Sequence, residues 1–143
     1  MNKKQPRIKV LIKHPYQDPE IVEIDNTLES CQEIVGGLIQ IVPFPTVDGV
    51  DLVLNEEGKI FKLDGNFFMP HYQDCVVGPA IMTSSDDEGN LASISEKQIQ
   101  DCKKYIKTFQ LDQGQDLYFD FYHLNNTMQQ RQRAFNGEGL EAA

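Results

Sequence analysis

The sequence predicts an α+β domain: a mostly antiparallel sheet in the order ββαβββ(β)α, two packed helices and a C-terminal helical appendage. Three observations carry that expectation. "RIKVLIK" (7–13) sets Ile8, Val10 and Ile12 against Arg7 and Lys9, the period-two pattern of a strand covered on one side. "DNTLESCQEIVGG" (25–37) is bracketed by helix start and stop signals. Short apolar runs then succeed one another across Gly, Pro and Asp turns, as in a sheet built from hairpins. The domain is expected over residues 7–107 and the appendage, helical and then frayed, over 108–143.

Taken in order, "PYQDPE" after the first strand is a loop, and "IVEI" returns antiparallel with Glu20 and Glu23 available to the basic face of strand one. In the first helix, Asn26 or Thr27 can cap the start, and Leu28, Cys31 and Val35 share a face with Ile34 beside them. Gly36-Gly37 stops it, because glycine takes the left-handed conformation that ends helices. A phosphate-cradling glycine loop would precede a helix rather than come after one.

"LIQIVPF" reads as a strand halted by Pro43 and Pro45. "VDLVLN" and "KIFKL" flank "EEG", the layout of a hairpin with a bulge at Gly58. Asp48-Gly49, Asp64-Gly65 and "DDEGN" (86–90) are further turns, and "CVVGPAIM" (75–82) is a buried strand. In "SISEKQIQDCKKYIK" (93–107), Ser93 and Glu96 have capping-box spacing, and Ile99, Cys102 and Ile106 form the apolar face. Lys103, Lys104 and Lys107 sit near its end, where cations oppose the helix dipole. In the tail, Leu117, Phe121, Leu124 and Met128 are spaced for a helix, and the apolar cluster over 117–124 must pack against core, second subunit or target.

Composition narrows the function classes. A chain of 143 residues buries enough surface to need neither disulfide nor metal for stability. Three cysteines without a CxxC pair fit reduced thiols and a cytoplasmic location. Neither a secretory signal nor a membrane-spanning run is apparent, so no membrane association is expected. Twenty-two acids against thirteen bases give a net charge of −9, which disfavours direct nucleic-acid binding. An acidic body can also mimic DNA in a basic cleft, although acidity commonly serves solubility alone.

Chemistry-bearing motifs are few. Glu56 and Glu57 are adjacent and point apart in a turn, whereas paired catalytic carboxylates must converge on one bond. "DDEGN" lacks the alternating ligands of a calcium loop. His71, Asp74 and Cys75 are the one local metal-like cluster, too small for a tetrahedral site, and His14 and His123 are not tied to it. The common hydrolase, nucleotide and metalloprotease signatures are missing, so no catalytic residue, metal ligand or cofactor is expected.

The ordered combination of "IKVLIKHP", "ESCQEIVGGLIQIVPF", "VDLVLNEEGKI" and "DCVVGPAIMTSSDDEGNLASISEKQI" resembles the family known as domain of unknown function 3846, over roughly residues 7–107. The shared pattern is the Gly-Gly after the first helix, the "NEEGK" hairpin, a later Asn (Asn66), a "GP" strand and a polar start to the second helix. The resemblance implies a small protein of bacteria, phages and mobile elements, and it stops before the aromatic tail.

These readings lead to two functional expectations. The first is a non-catalytic interaction protein of phage or mobile-element origin that binds and inhibits a host protein. Its contacts would be Leu117, Tyr118, Phe121 and Tyr122, and the same segment could join copies of the chain. The second is a small-ligand binder for a nucleotide-like signal, with Asn55, Lys59 and Asn66 as polar contacts and Gly78 allowing close backbone approach.

Overall fold

The structure, a computed structural model, describes residues 4–113 and 121–136, with side chains of the last segment from residue 126 onward. Its frame is one antiparallel sheet. β1 (Arg7–Lys13) pairs on one side with β2 (Glu20–Asp25) and on the other with β7 (Ala80–Ser85). β7 also pairs with β4 (Val50–Asn55), and β4 with β3 (Ile39–Pro43), giving the order β2-β1-β7-β4-β3. A two-residue strand, β8 (Leu91–Ala92), pairs with β7. β5 (Gly65–Met69) and β6 (Asp74–Val77) form a separate hairpin around a 3-10 turn at Pro70–Tyr72.

The sheet is covered on both faces, and strand alternation decides which residue serves which core. Ile8, Val10 and Ile12 join Val53 and Ile81 under α1 (Leu28–Val35), whose Cys31 and Val35 are buried. Leu11, Leu52 and Met82 point the other way, into the larger core beneath α2 (Glu96–Phe109) and the β5–β6 hairpin. The one-sided covering read from "RIKVLIK" is thus corrected: Leu11 is as buried as Val10. Tyr105 sits at the centre of the larger core, edge-on to Phe44, Phe67 and Phe135.

The helix punctuation obeys local chemistry. Thr27 Oγ1 accepts from Ser30 N at 3.1 Å, and Gly36 closes α1 with φ +83°. The second capping box is displaced by two residues from the expected Ser93–Glu96. Ser95 Oγ accepts from Gln98 N and Gln98 Oε1 from Ser95 N, while Ser93 Oγ takes the amide of Lys9. The expected apolar face of α2 is found, extended by Tyr105 and Phe109. Of the residues expected in the C-terminal appendage, Thr108 and Phe109 continue α2, Leu111 joins the core, and Phe121–Phe135 form α3, which lies against α2: Met128 is buried and Phe135 lies near Phe109.

Three strand expectations need correction. "KIFKL" forms turns instead of a strand, and β4 finds its partners in β3 and β7. "CVVGPAIM" is two strands in two different sheets, broken where Gly78 takes φ +73° before Pro79. Gly65–Met69 is a strand with every residue buried, although no strand is expected there. The cross-strand ion pairing foreseen for the basic face is made by Arg7, with Glu23 at 3.0 Å and with Asp25, rather than by the lysines.

Candidate functional site

Among the described residues, the most exposed large apolar side chains lie on the turns between β4 and β5. Asn55 ends β4 and organises those turns. Its Oδ1 accepts from Glu57 N at 2.8 Å, and its Nδ2 donates to Val35 O at 3.1 Å, tying the loop to the end of α1. Gly58 is required by close approach, since a Cβ there would lie 2.7 Å from Val77 Cγ2. The chain then winds back on itself: Phe61 N bonds Glu57 O, Lys62 N bonds Lys59 O and Leu63 N bonds Gly58 O. This winding turns Ile60 and Phe61 outward, 74% and 65% exposed.

Beside the loop is a cleft of about 200 Å³ lined by Leu54, Asn55, Lys59, Ile60, Asp74 and Cys75, among others. Lys59 Nζ is ion-paired with Asp74 Oδ1, which also accepts from Cys75 N. The Cys75 thiol is buried, and burial together with the charge of Asp74 pushes its pKa up to about 12. A thiol held neutral in this way is a poor nucleophile at neutral pH.

The four residues expected to bind a ligand are divided by the structure. Asn55 and Lys59 line the cleft. Asn66 and Gly78 lie in the scaffold: Asn66 is fully buried, with Nδ2 donating to Lys13 O at 2.7 Å and Gly78 O at 2.9 Å. A Cβ on Gly78 would lie 2.6 Å from Leu63 Cδ1, so the close approach is to the chain's own side chain. His71, which the sequence sets near Asp74 and Cys75, is exposed, and among the described residues no group of three or more His, Cys, Asp or Glu is placed to hold a metal ion. No described helix is long and apolar enough to cross a membrane.

Leu117 and Tyr118 lie outside the described residues, as does the end of the chain from residue 137. Phe121 and Tyr122 open α3, with side chains outside the description. The exposed pair Ile60–Phe61 was hidden from sequence reasoning because a short apolar run after the "EEG" turn mimics the second strand of a hairpin.

A family model for a domain of unknown function, DUF3846, matches residues 8–110. The chain belongs to this family. No curated protein and no solved structure matches it. The DUF3846 region takes in the described strands, all but the first residue of β1, with α1 and α2, and it ends before α3. Its "NEEGK" run is explained by geometry, since Asn55 and Gly58 each hold a position that another side chain would disturb.

Proposed function

We propose that the protein is a non-catalytic interaction protein, acting in the cytoplasm of a host cell, that binds and inhibits a host protein through the loop at residues 56–62. The observation that carries this reading is the outward pair Ile60 and Phe61, 74% and 65% exposed on a loop whose backbone is fixed by its own hydrogen bonds. Exposed apolar anchors on a pre-formed loop are what partner proteins bury at the centre of an interface. An inhibitory outcome is supported by the phage and mobile-element setting that the family resemblance implies.

The small-ligand reading has weaker support. A cleft of about 200 Å³ falls below the roughly 300–1,000 Å³ of ordinary ligand sites. The polar groups of Asn55 and Lys59 are already engaged within the chain.

The test is a pull-down from host lysate with the full chain and with an Ile60→Ser/Phe61→Ser variant, alongside melting curves of both. One protein retained in stoichiometric amount by the wild type and lost by the equally stable variant is the expected result. Equal retention by both, or no retained protein, would overturn the proposal.

A further inference from the structure

The two edges of the main sheet are built in opposite ways. β2 carries Glu20, Glu23 and Asp25, and charged side chains are the usual protection of an edge against pairing. β3 carries none, and no charged residue occurs from Ile34 to Val47 in a chain of which 24% is charged. Leu38 and Ile41, on or next to this edge, are 53% and 47% exposed.

The register determines which backbone groups β3 turns outward. Glu56 N bonds Leu38 O and Phe44 N bonds Val50 O, so even-numbered residues of β3 exchange bonds with β4. Ile39, Ile41 and Pro43 therefore face away from the sheet. Pro43 has no N–H to offer, and its carbonyl is taken by the Tyr72 hydroxyl at 2.7 Å. What remains is the N–H and C=O of Ile39 and of Ile41, placed symmetrically about Gln40.

We infer that β3 pairs antiparallel with β3 of a second copy about a two-fold axis through Gln40. In that register, Ile39 of each copy exchanges both backbone bonds with Ile41 of the other, so every outward group left free is used. The same register sets Leu38 against Val42 of the second copy and covers the exposed Ile41 with Ile39. An unrelated strand could meet the backbone groups, but the two-fold arrangement satisfies backbone and side chains with one uncharged surface, as isologous interfaces do. This pairing is argued from the β3 backbone and not from the contact proposed for Ile60 and Phe61, although Gln40 and Ile60 line one cleft.

The test is sedimentation of the full chain over a range of concentrations. The expected result is a concentration-dependent dimer that is favoured by salt, because two bodies of charge −9 repel. Ile41→Lys weakens association by about tenfold or more while the melting temperature of the monomer holds. Gln40→Cys provides a second readout should that variant misfold. Across the axis its Cα atoms would be about 4.5 Å apart, within the range for a disulfide, and the native cysteines are all buried. Gln40→Cys then cross-links on oxidation, whereas Gln17→Cys on the β1–β2 loop does not. A monomer at every concentration, a dimer undiminished by Ile41→Lys in folded protein, or equal cross-linking by both cysteine variants would overturn the inference.

Discussion

Asn66 holds the carbonyl of Lys13 at 2.7 Å across 53 positions of sequence, joining the β5–β6 hairpin to the end of β1. The same Nδ2 holds Gly78 O, while Oδ1 is buried without a partner. Asn66→Ala gives up two bonds to carbonyls in the interior, and urea unfolding should show a loss of about 2–4 kcal/mol. Asn66→Asp should be worse at neutral pH than at acid pH, because it buries a carboxylate. A loss under about 1 kcal/mol for Asn66→Ala would show that the bonds contribute little.

Lys13 gives the protein an unusual pH profile. Its side chain is wholly buried and donates to His14 O at 2.7 Å; burial, partly offset by Asp18, lowers its pKa from 10.5 to about 8. Between those values the unfolded chain binds more protons than the native one, so this group makes stability rise with pH. Burial pushes Cys75 and Cys102 from 9 up to about 12, so above pH 9 those thiols make stability fall. Thermal melts should therefore improve from about pH 8 to 9 and worsen beyond. In Lys13→Met the improvement vanishes, the decline remains, and stability at neutral pH exceeds wild type.

Two glycines separate backbone conformation from close packing. Gly36 and Gly78 have φ +83° and +73°, but a Cβ on Gly36 meets nothing within 4 Å, whereas on Gly78 it meets Leu63 at 2.6 Å. Gly36→Ala should cost about 1–2 kcal/mol, the penalty for a left-handed non-glycine residue. Gly78→Ala should cost more, and a double-mutant cycle with Leu63→Ala should recover the excess alone.

For the cleft, a panel of nucleotides should leave the melting temperature unchanged. A nucleotide at a hundredfold excess over its dissociation constant would stabilise by about 2.7 kcal/mol, several degrees for a domain of this size. Such a shift, lost in Lys59→Ala, would favour the small-ligand reading over the interaction reading.

Much of the frame was legible because it is written in local patterns. Gly36 and the Ile99–Cys102–Ile106 stripe have roles that depend only on near neighbours and the structure assigns them as read, while of the two cap candidates it takes Thr27 and leaves Asn26 to bond Gln5 O and Leu91 O. The errors lie where distant contacts override the local pattern. Ile60 and Phe61 look like strand residues, but the Asn55 turn and the Gly58–Val77 contact wind the chain before a ladder can form. "GNFFM" has no alternation because both its faces are buried, so periodicity could not reveal it. Asn66 drew notice through the family pattern, yet its partners Lys13 and Gly78 are distant in sequence, and its structural role could not be foreseen.

β4 and β7 are direct neighbours in the sheet, although the chain between Asn55 and Ala80 contains a hairpin, a 3-10 turn and the loop that presents Ile60 and Phe61. Topologically that whole stretch is an excursion from one hairpin. Its inner half, with Phe67 and Phe68, is anchored in the core, while its outer half carries no strand and is fixed at Gly58 and Leu63. Sequence change can thus be confined to the exposed positions 60–62, on a scaffold that stays constant beneath them.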